Sequence, residues 1–593
     1  MSQSSASDAV VTAEAATVCP ELRQAGAVAT LDGPNGPVVL GDDLDSLGHV
    51  KAVAPPKQPA QAPTLALPLP AVESEASAVD DANWLVLPGG GYLVPAPAGR
   101  LSPPSLGPIV RLLVEQSNET ERRQASSVAD TLLPGGWRLT GGDASLHKVA
   151  SDLVDSSDRW ARLADRDFAN SAPYMGTKRV LLPFLMTALE GLEPPPASFV
   201  DLMCGSGVVS GAAARRWRTI CSDSQSFCRG LARVQGGGFT RDRAADTLRR
   251  LREPMSDNLA SLTRLVTDLL SEEAELLAAA TDFAALAPRY AKFVARTPGF
   301  PRGGSAGAWD PVAEVGLRQR ATGNTVSPYC LLTAYFANVY FGVRQAVELD
   351  CLRFAIDQLG DAVEREWALG ALIVAASSVA TTYGGHFAQP PAPPERLVNP
   401  TVAKRVLARR HVSATREFEI RLLSLSRESE EIPHSVESVP GPWSKALDAT
   451  ARMLEPSRTV VYLDAPYRRE EYSRYYHVLE TLVSYGYPSA DTSARIPSKG
   501  IERFASEFFT RNQNTMTDAL SHTIRSILDA GFRCAWSYAD RADADPLAVL
   551  DSVSGSCSRA RSVASDHEFK RQGRSREAGG VREFLFLFEP RVG

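Results

Sequence analysis

No run of about 18 or more apolar residues occurs anywhere in these 593 residues, so no ordinary membrane-spanning helix is expected. The opening Met-Ser-Gln-Ser-Ser-Ala-Ser-Asp lacks both the basic start and the apolar stretch of a secretion signal, which makes the cytoplasm the expected compartment. Cysteine is scarce. The eight residues Cys19, Cys204, Cys221, Cys228, Cys330, Cys351, Cys534 and Cys557 contain no Cys-x-x-Cys pair, and no His-rich segment accompanies them. Zinc scaffolds and disulfide frameworks are therefore disfavoured, no metal site is expected, and the thiols are expected to be reduced and packed as small apolar side chains. Internal repeats are missing as well.

An overall excess of positive charge is also lacking, since the net charge is −6. The distribution matters more than the sum. Residues 1 to 100 hold eleven acidic and four basic residues, so the remainder carries one net positive charge and can present a basic face. Two stretches stand out: Lys404 to Arg421, with Arg405, Arg409, Arg410 and Arg416, and Arg559 to Arg582, with Lys570, Arg571, Arg574 and Arg576. Each reads either as a nucleic-acid face or as solvated helix and loop surface.

What is present divides the chain. Residues 1–125 are rich in Ala, Pro, Ser and Gly, a composition that buries too little apolar area to offset chain entropy, so a disordered tail is expected, with a protein partner as one role for it. Within it, Trp84 to Val94 suggests a short hairpin or a docking peptide. Residues 126–240 contain a strand-helix-strand unit: an apolar strand at Ala197 to Met203, a helix through Val208 to Trp217, and a strand from Arg218 that ends at Asp223. Residues 241–450 are mostly helical by periodicity, in pieces at Met255 to Leu277, Leu331 to Gly342, Ala346 to Leu359 and Trp367 to Val379. Residues 451–593 return to strands at Arg458 to Leu463, Phe532 to Tyr538 and Glu583 to Phe588, with a helix at Met516 to Leu528. The expected fold is α/β, one nucleotide-binding type of sheet assembled from two separated pieces around a large helical insertion.

Two motifs carry chemistry. In Phe199-Val-Asp-Leu-Met-Cys-Gly-Ser-Gly207 the glycines let the backbone approach a ligand, Asp201 can receive the amino group of a zwitterionic cofactor, and Asp223 is placed for ribose hydroxyls. The next glycine, Gly211, comes one residue late for a dinucleotide fingerprint, which disfavours a plain NAD site. In Tyr462-Leu-Asp-Ala-Pro-Tyr467 the Asp464 carboxylate and the Ala465 carbonyl can accept the two hydrogens of a planar amine, favouring a pyramidal nitrogen as a methyl group arrives. Tyr467 offers a ring face to a flipped base. Each motif, taken alone, also reads as an ordinary turn after a buried strand.

Together with Tyr174-Met-Gly-Thr-Lys178, these motifs resemble the Dam-like class of DNA adenine N6-methyltransferases, over about residues 170 to 590. The family's opening, its cofactor loop and its Asp-Pro-Pro-Tyr loop stand here in the family's order. The stretches Tyr472 to Thr481, Tyr340 to Gln345 and Gly384 to Pro390 share the flavour of one branch of it. The resemblance implies a Rossmann-like class I sheet, S-adenosylmethionine as cofactor, double-stranded DNA as partner, and a place in restriction-modification or phage defence. It implies cofactor contacts from Tyr174, Lys178, Asp201, Gly205, Ser206, Gly207 and Asp223, and a catalytic loop of Asp464, Ala465, Pro466 and Tyr467. Arg474, Lys570 and Arg574 are candidates for the DNA backbone, while His386, His477 and the cluster of Tyr335, Phe336, Tyr340 and Phe341 read more readily as packed core.

Ala465 departs from the family's proline. It keeps the carbonyl but frees φ, and a loss of about 1.4 kcal/mol in preorganisation slows a reaction about tenfold. A silent DNA-binding homologue thus stays open beside the enzyme, as do cytosine N4, RNA adenine and protein glutamine as acceptors. Methylation of a cytosine ring carbon needs a cysteine nucleophile, and no Pro-Cys dipeptide occurs.

Overall fold

The computed structural model describes residues 172–591, with gaps at 280–281, 297–309, 323–325, 383–384, 389–392, 467–471, 488–502, 540–541 and 569–579, together with Trp160 and six short strands nearer the amino terminus. Ala29–Gly33 and Gly36–Leu40 form an antiparallel hairpin within a unit spanning residues 1–62. In the second unit, Leu85–Val86 pairs antiparallel with Tyr92–Pro95, the short hairpin suggested for Trp84 to Val94. Trp137–Thr140 adds to Tyr92–Pro95 and Thr131–Leu133 completes four strands, a pairing that runs across residue 125.

A seven-stranded mixed sheet organises the rest, and the chain is α/β. Its strands are β1 (Ser198–Asp201), β2 (Arg218–Asp223), β3 (Val436–Pro440), β4 (Thr459–Leu463), β5 (Arg533–Ala539), β6 (Cys557–Glu568) and β7 (Gly580–Pro590), in the spatial order β3-β2-β1-β4-β5-β7-β6. Strands β1 to β5 are mutually parallel, whereas β7 runs antiparallel to both its neighbours. Strands β1, β4 and β5 are buried at every residue. That explains why Val460-Val-Tyr-Leu463 is continuously apolar rather than alternating: helices cover both faces of a parallel sheet.

The order reverses between β1 and β4, and it is at such a switch point, outside the carboxyl ends of the strands, that open α/β sheets bind ligands. Val461 lies opposite Val200 and Tyr462 opposite Asp201, so the two motif-bearing strands end side by side.

The flanking helices include α1 (Leu182–Glu190), α2 (Val208–Ala213), α3 (Ser226–Arg233), α4 (Arg241–Ala278), α5 (Val343–Asp357), α6 (Ala362–Val379), α7 (His477–Ser484) and α8 (Gln513–Asp529). On one face, Leu520, Ile524, Ile527 and Leu528 of α8 pack on the sheet with Val461, Leu463 and Trp536. The helical middle forms a second core, in which Leu262, Val266 and Leu269 of α4 join Leu349 and Leu352 of α5 and Trp367 and Ile373 of α6. No helix among the described residues is long and apolar enough to cross a membrane.

Several expected bounds shift, for local reasons. The helix expected to run to Gly342 stops at Phe336, because Asn338 adopts φ 56° and its N–H turns back to the Phe341 carbonyl at 2.7 Å. The helix expected to reach Trp217 ends at Ala213. Val436–Pro440 belongs to the sheet as an edge strand, although its sequence lies within the stretch read as helical. Arg559 to Arg582, read as a basic surface segment, is in its first part the edge strand β6, paired along its length with β7. A charged, partly exposed side chain such as Arg559 is the usual protection of an edge, and it hides the strand character.

The insertion is pinned by buried carboxylates at helix starts. Glu273, near the end of α4, accepts the N–H groups of Val343 (2.9 Å) and Arg344 (2.8 Å) at the start of α5. Asp350 accepts those of Leu332 and Thr333, both at 2.8 Å, and the Thr333 hydroxyl at 2.7 Å. Both place negative charge where helix amides are otherwise unsatisfied. Glu273→Ala is expected to lower the thermal midpoint by several degrees, at a cost of about 2–3 kcal/mol. Its solvent-facing neighbour Glu272, paired with Arg296, is expected to tolerate the same change with almost no shift.

Candidate functional site

Strand β1 ends at Asp201, and the next turn is one that only glycine accommodates. Gly205 has φ 48° and Gly207 φ 75°, and a Cβ on Gly207 would lie 2.3 Å from the Ala232 Cα of α3. Asp223, at the end of β2, holds this loop: its carboxylate accepts the Gly205 N–H at 3.0 Å and the Gln225 N–H at 2.9 Å. The Gln235 amide donates to the Ser206 carbonyl at 2.6 Å, and the Ser206 hydroxyl donates to Thr177 at 3.3 Å, which ties the loop to the Tyr174–Lys178 opening.

Asp201 is almost fully buried. Its Oδ2 accepts the Ser210 hydroxyl of α2 at 2.6 Å, while Oδ1 is buried without a hydrogen-bond partner. Burial pushes its carboxyl up to about 7; the Ser210 bond opposes that rise, and the nearby Asp464 and Asp223 charges add to it. Burial likewise raises Asp223 to about 6 against the pull of its two amide donors.

Beside Asp201, β4 delivers Asp464 at its carboxyl end. The Lys178 ammonium lies 2.9 Å from Asp464 Oδ1 and 3.4 Å from Glu583 Oε1, and the Ser537 hydroxyl of β5 donates to Glu583 at 2.5 Å. Burial works against the Lys178 charge, but the two carboxylates outweigh it and raise its pKa, so the ammonium persists. Ala465 is buried in the apolar cluster of Met516, Leu520 and Trp536, and Pro466 is half-buried. Tyr467 lies outside the described residues.

Aromatic rings wall the opening. Tyr174 stacks on Tyr476 (4.9 Å between centroids, 11° between planes) and on Tyr472 (5.6 Å, 18°), and a Cβ on Gly205 would meet its ring at 2.9 Å. Tyr476 accepts the Met175 N–H at 2.7 Å, and Glu480 accepts the Phe227 N–H at 3.1 Å. The other stretches that resemble the family converge here: Tyr340 donates to the Phe387 carbonyl (2.6 Å), and the Phe387 N–H donates to the Tyr475 carbonyl (2.7 Å).

The structure thus gathers Tyr174, Lys178, Asp201, Gly205, Ser206, Gly207, Asp223 and Asp464 at the switch point. Other candidates fall elsewhere. His477 is a core residue, its Nδ1 at 2.9 Å from the Arg474 carbonyl, its edge toward Phe336 and Tyr340, and its pKa lowered by burial to about 4. Tyr335, Phe336, Tyr340 and Phe341 are buried, as expected for core. Arg474 is exposed and has no ion-pair partner among the described residues. Lys570 and Arg574 lie outside the described residues, in the 569–579 connection between β6 and β7.

In the Lys404–Arg421 stretch Lys404, Arg405, Arg409 and Arg416 are exposed, and Arg410 alone of the named basic residues turns inward. Arg410 is buried against Gln345 (3.3 Å), Arg409 donates to the Ser378 carbonyl (2.8 Å), and Arg416 pairs with Glu419 (3.6 Å). Sequence reasoning missed Glu583. The signal was there, a single acid heading the apolar run Phe584-Leu-Phe-Leu-Phe588.

Asp464 and Glu583 flank the Lys178 ammonium, Arg229 lies near Asp223, and Asp201 is close to both Asp464 and Asp223 with one oxygen unpartnered, an arrangement suited to a cationic ligand. Among the described residues no cluster of His, Cys, Asp or Glu is arranged to hold a metal ion. Compared with known proteins, the chain matches no family model, and no curated protein is significantly similar to it.

The raised Asp201 pKa has a sign that can be tested. Ionising this group in the folded protein costs stability, and the cost grows as pH rises from 3.8 to about 7. Asp201→Asn is therefore expected to raise the thermal midpoint at pH 8, and to do so less at pH 5.

Proposed function

We propose that the chain transfers the methyl group of S-adenosylmethionine to the exocyclic N6 amine of adenine in duplex DNA, as a site-specific methyltransferase of a restriction-modification or phage-defence system. One observation carries the reading: the glycine loop and the Asp464 loop, some 260 residues apart in sequence, meet at the sheet's switch point, where the buried Asp201 Oδ1 is left without a donor. An α-ammonium group suits that oxygen, and the two left-handed glycines let Tyr174 and α3 pack closely against the loop beside it.

In this reading Asp201 holds the cofactor's ammonium, Asp223 accepts from its ribose hydroxyls, and Tyr174 and Lys178 close the crevice. The cofactor supplies an electrophilic methyl on a sulfonium. Asp464 and the Ala465 carbonyl accept the two hydrogens of the amine, so that the nitrogen lone pair is aimed for in-line displacement and no covalent enzyme intermediate is needed. Ala465 lacks proline's fixed φ, but its burial against Met516 and Trp536 restrains the same carbonyl by packing. That favours an enzyme over a silent homologue. The base is taken from the duplex at a cost of a few kcal/mol, with Tyr467 as the stacking ring that the resemblance implies. Arg474, exposed next to the aromatic wall, is suited to a backbone phosphate.

The test is mass-spectrometric nucleoside analysis after incubating unmethylated DNA with the protein and S-adenosylmethionine. N6-methyladenine is expected, with Asp464→Ala lowering its formation about a hundredfold or more while cofactor binding stays within a few-fold. N4-methylcytosine, or product on RNA alone, would replace the acceptor. Intact cofactor binding with no methylated nucleoside on varied DNA would overturn the reading.

A further inference from the structure

We propose that Glu583 is a positioning residue of this site, holding the Lys178 ammonium so that it steadies Asp464 without drawing away that carboxylate's capacity to accept the substrate amine. The inference rests on the methyltransferase reading and deepens it.

Glu583 lies opposite Ala539, the last residue of β5, so the antiparallel strand β7 brings it to the sheet edge where β4 releases Asp464. It is 2% exposed, and its Oε1 takes both the Ser537 hydroxyl at 2.5 Å and the Lys178 ammonium at 3.4 Å. A carboxylate so deeply buried is costly unless paired. Ser537 is a neutral donor, and Lys178 brings a positive charge to Glu583.

An ammonium has three donors and no acceptor. Facing Asp464 alone, Lys178 would settle fully onto that carboxylate, competing with the amine for its lone pairs and draining its negative charge. With Glu583 on the other side, the attraction is divided and the ammonium is held between two strand ends. The Ser537 bond fixes the Glu583 side chain that does this. Glu583 therefore acts on the reacting amine only through Lys178 and Asp464.

The experiment compares the wild-type chain with Glu583→Gln, Glu583→Asp and Ser537→Ala, by single-turnover methyl transfer at saturating cofactor and DNA, by KM for each, by cofactor calorimetry and by thermal unfolding. Glu583→Gln is expected to slow transfer about tenfold to a hundredfold, with both KM values and the cofactor Kd within about twofold. The acid limb of its pH–rate profile should move to lower pH, since the whole Lys178 charge then bears on Asp464. Glu583→Asp should recover part of the rate, and Ser537→Ala should lose less than Glu583→Gln.

An active wild type with an unaltered Glu583→Gln rate overturns this inference alone. So does a slowed Glu583→Gln with an unmoved acid limb, a lowered thermal midpoint and no recovery in Glu583→Asp, which marks a purely structural role. A wild type that binds the cofactor yet transfers no methyl overturns the underlying reading, and this inference with it.

Discussion

The ammonium of Lys178, buried between Asp464 and Glu583, joins the parts of the crevice that sequence keeps apart. It arrives on the Tyr174–Lys178 opening, while its partners come from the ends of β4 and β7. Each of the three charges would be prohibitive alone in a water-poor setting, and together they are tolerable. The opening is then fastened twice more, by Tyr476 accepting from Met175 and by Thr177 accepting from Ser206. The glycine loop, the aromatic wall and the Asp464 loop thus hold one another, and none of them is a free turn.

The remaining electrostatics point the other way. Asp201 is buried with one oxygen unpartnered, and Asp223 is partly buried with Arg229 offsetting only part of the cost, so that burial raises both pKa values. A fold selected only for stability has no need of an unpartnered carboxylate oxygen at the end of its central strand. A cationic ligand converts this cost into binding free energy, and buried perturbed carboxylates in a crevice mark candidate sites for that reason.

How much of this was legible in the sequence depends on the range of the forces involved. The glycine loop was readable because Gly205 and Gly207 answer a local steric rule, and Asp201 and Asp464 because each follows a short apolar run that had to be a buried strand. The central strands were readable for the same reason. Edge strands were not: β3 and β6 carry Glu437 and Arg559, which look like surface because they are partly exposed. In the basic stretch from Lys404 only Arg410 departs from a surface reading, since its guanidinium turns inward to Gln345, a partner 65 residues away that no periodicity announces. Glu583 needed the three-dimensional sheet order. An acid ahead of Phe584 to Phe588 becomes meaningful only once β7 is seen to run antiparallel and begin beside Asp464.

That antiparallel strand also sets an order of events in synthesis. The Lys178–Glu583 contact spans 405 residues, and contacts so distant in sequence form late. A chain still emerging from the ribosome has made its glycine loop, its aromatic wall and its whole helical body before β7 exists. Until that strand docks, the Glu583 carboxylate is missing from the Lys178 ammonium, and the crevice has no finished form. Topology thereby makes the pairing of Lys178 with Glu583 one of the last long-range contacts open to the growing chain.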